Sequence, residues 1–363
     1  MEIKDLKDKI IKLTDERSDV FNNISNYIFN NPENPHREYK SKELLVNILG
    51  HNKFKINSHI EGIETGFIGE FSIDVSGPTL GVIVEYWGSE KQGHLDGNNL
   101  QSAMGIGSVI ILKELMEEFS IPGKLKIFGV PGKGGKLQFF NRGLFNGIDG
   151  LFYIKPGNIS TYSDITYNSK NYEVFFTGKN SLNGIIQLFN GINSIKETLE
   201  PFTYINGIIK EGGENPEVQV LSTKALFNIK ALGEEDLKNG YEKLYRCIEG
   251  SSLMVKNNFN LKEISNEIKS VVIDNKLSEI FKFNLIYNHE QIIERNIYQK
   301  IGIDEIGNIS REIPVISSYL KLKDKVLLHS EEFKKTSEGI EGELFINKGI
   351  KILSMSLLDR FLN

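Results

Sequence analysis

Apolar residues in the first part of the chain recur at helical spacing: Ile3, Leu6, Ile10, Leu13, Val20, Ile24 and Tyr27 fall near the helical period. They predict one amphipathic helix over 3–30. NNPENP at 30–35 ends it, because Pro cannot continue a helix and restricts the residue before it. A second helix is expected at about 36–50, closed by Gly50, then short strands at 54–60 and 66–73. The run TLGVIVEYWG at 79–88 is nearly continuous in apolar, β-branched character, as in a strand buried on both faces. LQSAMGIGSVIILKELMEEFS, which follows at 100–120, reads as a long helix with little polar surface in its first half. KLKIFGVP (124–131) and GIDGLFYIKP (147–156) hold two more buried strands. Strand, helix, strand with short connections predicts an α/β domain. In such sheets function gathers in loops beyond the carboxyl ends of the strands. EYWGSEKQGHLDGNN, VPGKGGK and YIKPG all lie at such ends.

The pattern changes near residue 170. YEVFFTG (172–178) is a partly alternating strand, followed by a helix at about 182–198. Strands near 203–210 and 218–231 flank the turn EGGEN (211–215), and a helix spans about 234–254. This β-α-β-β-α order predicts a small α+β insert of ferredoxin-like type. From about 270 the chain turns helical again, with Ile280, Phe283, Leu285 and Ile292 among its apolar positions. IGNISREIPVISSYLKL (306–322) predicts a return to the main sheet, and an amphipathic helix ends the chain at about 341–361. The expected organisation is a discontinuous main domain, 1–170 with 270–363, interrupted by an insert at 171–269.

Composition narrows the function classes. The chain has 363 residues and a formal net charge of −5, which argues against a dedicated nucleic-acid binder. Its single cysteine, Cys247, cannot form an intramolecular disulfide, and the cytoplasm is the expected compartment. No run of about 18 apolar residues predicts a membrane-spanning helix. Cys247 reads as a small buried side chain in a helix. His36, His51, His59 and His289 stand in polar contexts and read as surface residues.

Several motifs, in order, resemble the zinc-dependent aminoacylase and carboxypeptidase family, in the amidohydrolase branch that includes aminobenzoyl-glutamate hydrolases. NNPENPHREYKSKELLVNIL resembles the family's opening helix pair, and VIVEYWG a strand end of the form Glu-Tyr-Asp-Ala-Leu. GHLDGNN (93–99) resembles Gly-His-x-Cys-Gly-His-Asn, and FGVPGKGGK (128–136) resembles a Pro-Ala-Glu-Glu-Gly-Gly turn. YIKP resembles a strand ending in His-Pro, and FFTGK the start of a lid. IGNISREIP resembles Met-Gly-Asn-Val-Ser-x-x-x-Pro, and LLHSEEF a final His-Ser-x-x-Phe. The resemblance implies an α/β main domain with a mixed sheet, and a lid that also serves dimerisation.

It also implies chemistry. Two divalent ions would clamp a bridging hydroxide and polarise a scissile carbonyl, with a Glu beside them as general base. Carried over position by position, the ligands fall on Asp96, Asn98, Gly134, Lys155 and His329, and the base falls on Lys133. An amide is a poor zinc ligand, glycine has no side chain, and lysine is a cation; Asp96 and His329 alone keep a donor that suits zinc. Read instead as a His-x-Asp motif, His94 and Asp96 would join His329 in a mononuclear site. The resemblance thus implies no metal cofactor, or at most one divalent ion.

Lys133 and Lys155 would point into the volume of the lost metals. Either they form an electropositive pocket for a carboxylate or phosphate, or each pairs with Asp96, Glu85 or Glu305. Asn215, in the lid's Gly-Gly…Asn element, either contacts a substrate carboxylate or belongs to a hairpin turn. Ser181 stands near the lid's oxyanion-stabilising His position. Three functions stay open: a non-metal binding or partner protein for a small anionic amino-acid or peptide-like ligand; an amidase or peptidase with one remaining metal; and a structural subunit. The lid predicts a homodimer or a heterodimer with a paralogue. Neither nucleic acid nor membrane is an expected partner.

Overall fold

A computed structural model describes residues 2–74, 76–297 and 301–363. The chain divides into two compact units, one formed by Met1–Asp164, Val272–Asn296 and Ile309–Asn363, the other by Ile165–Val271 and Ile297–Asn308. Residues 297 and 301–308 thus belong with the insert, where the sequence pattern puts them in the main domain.

The first unit opens with helices α1 (Ile3–Glu16), α2 (Ser18–Asn30) and α3 (Tyr39–His51). The expected single helix over 3–30 is therefore two. Arg17 leaves helical geometry at φ −117°, ψ 13°, and its guanidinium pairs with Glu114, with Nη2 2.8 Å from Oε2. Strands β1 (Lys55–Asn57), β2 (Phe67–Asp74) and β3 (Thr79–Glu85) follow. Helix α4 (Asn98–Phe119), strand β4 (Gly123–Val130), short helix α5 (Gly135–Asn141) and strand β5 (Gly150–Gly157) complete the first half.

The insert holds β6 (Asn168–Thr177), α6 (Ser181–Ser194), β7 (Tyr204–Glu211), β8 (Ser222–Ala231), α7 (Glu234–Val255) and β9 (Asn258–Glu263). The chain closes with α8 (Asn275–Tyr287), the turn-length α9 (Ile306–Ile309), β10 (Val315–Lys321), α10 (Glu331–Glu338) and α11 (Ile340–Leu362).

The main sheet has the order β1-β2-β4-β3-β5-β10. β4, β3, β5 and β10 run parallel, and β1 and β2 pair antiparallel at one side. The fold is α/β with a mixed six-stranded sheet, as expected. β3 is buried at nearly every position, which explains its unbroken apolar run. Helix α4 is buried along most of its length, so its amphipathic signal is weak. A Cβ at Gly105 would come within 2.3 Å of Val84, so glycine lets α4 lie directly on β3. A buried ion pair ties the first helix to the last: Lys7 Nζ lies 2.7 Å from Asp359 Oδ2 and 2.9 Å from Asn284 Oδ1.

The insert is a four-stranded antiparallel sheet, β7-β8-β6-β9, with α6 and α7 packed on it. The order β-α-β-β-α-β is the complete ferredoxin-like unit; β9 is the strand that sequence reading omits. The insert has its own core, built from residues such as Val174, Phe176, Leu188, Phe227 and Leu244. Among the described residues, no helix is long and apolar enough to cross a membrane.

Candidate functional site

β3 and β4 end in register, with Glu85 opposite Val130, and β5 runs parallel to β3 from a start at which Leu80 stands opposite Gly150. β10 adds to β5, placing Tyr319 opposite Lys155. The loops that follow carry the candidate residues.

Glu85, the last residue of β3, is buried. Its carboxylate accepts from Lys136 Nζ at 2.9 Å and from the Tyr153 hydroxyl. Lys136 also lies 3.2 Å from the Tyr153 oxygen and 4.7 Å from its ring centroid. The partner of Glu85 is therefore Lys136, at the start of α5, in place of the expected Lys133 or Lys155.

Lys155 projects beside the other face of this arrangement, 5.0 Å from the Tyr153 centroid and 4.5 Å from that of Tyr319. It pairs with Asp164 at 3.3 Å, and Arg295 approaches the same carboxylate at 3.4 Å. Asp164 is almost fully buried, with its side chain 2% exposed. An isolated carboxylate so placed would pay a large desolvation cost, which the two cations offset. Lys155, the lysine at a metal-ligand position, thus meets a carboxylate held within its own unit. Asp164 and Arg295 carry no motif, and only the folded chain identifies them.

GHLDGNN resolves into separate roles. His94 is buried, and its Nε2 donates to the Ile28 carbonyl at 2.9 Å. Burial lowers its pKa, opposed by the carbonyls of Ile28 and Trp87. It is a core histidine bound to backbone through Nε2, and among the described residues no group of three metal-ligating side chains includes it. Asn98 opens α4, donating to the Trp87 carbonyl at 2.9 Å. Asn99 donates to Ser25 Oγ at 2.9 Å. Asp96 is the outward-facing member, and its Oδ1 lies 2.7 Å from His329 Nδ1. His329 sits in the left-handed region at φ +66°, with its amide donating to the Leu95 carbonyl at 3.2 Å. The two residues that keep metal-binding chemistry therefore do come together.

They come together as a pair only. Among the described residues, no group of three or more His, Cys, Asp or Glu side chains could hold a metal ion. A structural zinc takes four ligands, and a catalytic one takes three with an open position. This donor set does not fit the two-ion centre that the fold implies.

Lys133, at the general-base position, is exposed and left-handed at φ +50°. Its carbonyl accepts from His36 Nε2 at 2.8 Å, and its ammonium lies 5.8 Å from the Trp87 ring centroid. Gly134 follows at φ +94°. The turn is fixed from beneath by Glu38, fully buried, which accepts from the Gly132 amide at 2.9 Å and from Thr65 Oγ1 at 2.7 Å.

The remaining candidates lie in the insert's unit. Glu305 belongs to its 297–308 segment. Asn215 is exposed, and its Oδ1 accepts from the Glu217 amide at 2.9 Å. That is the local turn bond expected of Asn at such a position. Ser181 is buried, and its hydroxyl donates to the Val220 carbonyl at 2.8 Å. The Ser181 hydroxyl is committed to that loop and does not reproduce the lid histidine.

The fold and its strand-end loops define the class: a peptidase-type α/β domain carrying a ferredoxin-like insert. No family model matches the chain. It is 20% identical over 389 aligned positions to Xaa-Arg dipeptidase of Mus musculus, covering 99% of this chain and 89% of that protein. It is 23% identical over 268 positions to one of the chains of p-aminobenzoyl-glutamate hydrolase of Escherichia coli, covering 64% of this chain and 55% of the other. Among solved structures, a dinuclear metal-binding peptidase from Bacillus subtilis superposes with a TM-score of 0.76 at 14% identity, over 95% of this chain and 99% of that one. An aminobenzoyl-glutamate utilization protein from Klebsiella pneumoniae gives 0.73 at 13% identity, over 96% and 97%. Over most of its length the chain is thus similar to these peptidases and amidohydrolases, and it shares the fold of the M20 peptidase among them.

Proposed function

We propose that this chain is an M20 homologue without the two-metal centre, and that it binds a small anionic amino-acid or peptide-like ligand. The observation that carries the reading is the donor set: Asn98, Lys133, Gly134 and Lys155 stand at ligand or base positions, leaving the Asp96–His329 pair. Two ions in one crevice need more oxygen, nitrogen or sulfur donors than a single carboxylate and imidazole supply. Lys133, exposed in the turn after β4 and without a carboxylate partner among the described residues, favours an anion there.

The test is metal analysis of protein purified without chelators, joined to assays on Xaa-Arg dipeptides and p-aminobenzoyl-glutamate, substrates named by its relatives. Substoichiometric metal and no hydrolysis are expected. Two ions per chain, or turnover that a chelator abolishes, would overturn the reading.

A second reading is favoured by the Asp96–His329 contact: one divalent ion bound weakly and an amidase or peptidase activity kept. One equivalent of zinc, lost in Asp96→Ala, would establish it. The insert also supports a partner role. Its edge strand β7 exposes Tyr204, Ile208 and Ile209 at 42%, 60% and 46%. An apolar edge strand is a template for pairing with another chain. A homodimer or a heterodimer with a paralogue through this edge is our proposal, to be read by light scattering and co-purification.

A further inference from the structure

Of the two lysines at the strand ends, only Lys133 faces solvent. Lys155 is engaged with Asp164 and the Tyr153 and Tyr319 rings. Lys133 has no carboxylate partner among the described residues; its one neighbour of note is the Trp87 indole, 5.8 Å away. That separation lies within the range of a cation–π contact.

The turn that presents Lys133 is costly to make. A lysine at φ +50° occupies a region that side chains disfavour, and such backbone persists only where its surroundings enforce it. Here they do. His36 holds the Lys133 carbonyl and Glu38 the Gly132 amide. Trp87 is also fixed: Asn98 binds its carbonyl, and a Cβ on Gly132 would lie 2.3 Å from the indole. Gly132 therefore lets the indole rest against the turn's backbone. The backbone that carries the ammonium and the half-buried aromatic ring beside it are thus both held in place.

We propose that Trp87 and Lys133 form a binding platform for a monocarboxylate carried on a flat aromatic frame, as in an aryl carboxylate. The ammonium meets the carboxylate, and the indole packs against the frame. A lone ammonium suits a single negative charge; a phosphate dianion is better served by an arginine fork or several donors. The proposal rests on the anion-binding reading above and names the ligand class.

Trp87 is the only tryptophan in the chain, so its fluorescence reports on the platform directly. The full chain is titrated with benzoate, and in parallel with acetate, benzamide and inorganic phosphate. Benzoate should give a saturable change, with the other three weaker. Lys133→Met should weaken benzoate about tenfold or more, as expected for loss of a charged contact, while Lys133→Arg should keep it within a few fold. Lys133 is exposed, so both variants are expected to fold, and unchanged urea midpoints establish that they do. Equal binding of benzamide or phosphate, unaltered binding in Lys133→Met, or no saturable benzoate change would each overturn the proposal. Metal content measured on the same sample separates the two ideas. Stoichiometric metal with a Lys133-dependent benzoate response overturns the metal-free reading alone; Lys133-independent binding in metal-free protein overturns the platform alone.

Discussion

Lys136→Met tests whether the buried strand-end ion pair holds the first unit together. The Glu85 and Lys136 side chains are only 10% and 7% exposed, and their N–O distance is 2.9 Å. Solvent screening is therefore slight. Removing one partner of a buried pair leaves an uncompensated charge and typically costs about 3–5 kcal/mol. Tyr153 still donates to Glu85, which places the expected cost near the lower end, about 3 kcal/mol. Glu85→Gln combined with Lys136→Met removes both charges at nearly constant volume. The double variant should therefore recover most of the loss, since replacing a whole buried pair is often close to neutral. Urea unfolding followed by Trp87 emission reads the transition of the unit that contains the pair. Folded domains have about 5–15 kcal/mol in total, so a loss of this size is easily resolved. A single-variant cost below about 1 kcal/mol, the scale of an exposed pair, would refute the argument. So would a double variant as unstable as the sum of its parts, because neighbouring charges that interact cannot be additive.

Two further predictions concern the same loops. Burial lowers the His94 pKa below its ordinary 6.5, so the unfolded chain binds its proton more readily. Its contribution to stability is then full above about pH 6.5 and falls as the solution is acidified toward the folded value; His94→Gln should flatten that part of a stability–pH curve, and an unchanged slope would count against a neutral core histidine. Gly132→Ala places a methyl group 2.3 Å from the Trp87 indole and should cost about 1–3 kcal/mol by overpacking, with a shift in Trp87 emission; an unperturbed spectrum and urea midpoint would show that the contact is loose.

Much of the fold is legible in the chain because burial writes itself into residue type. β3 and β5 read as unbroken apolar runs since both faces are covered, and the insert shows its class through strand and helix order. What escapes notice depends on distant partners. The interruption at Arg17 is accompanied by a pair with Glu114, a residue almost a hundred positions away. β9 is an edge strand with most of its side chains exposed or half-exposed, so its sequence, NFNLKE, carries no strong alternation. At the site, the motifs point to loops that do bring Asp96 to His329. They do not reveal that Lys155 meets Asp164, that Glu85 meets Lys136, or that His94 turns inward to α2. Those pairings depend on which loops fold together, and a motif read along one segment contains no such information.

The pairing of Glu85 with Lys136 has a consequence for any dication that would bind at these strand ends. A dication approaching the ends of β3 and β5 would find the Glu85 and Asp164 carboxylates already matched to ammonium and guanidinium groups. It would have to displace a tethered counter-ion of permanent local concentration before gaining a ligand. Adding one donor by a single substitution leaves that competition in place. If the two-ion centre has been lost, as proposed, its recovery would require coordinated changes in several loops, each unfavourable alone, and the arrangement would act as a ratchet.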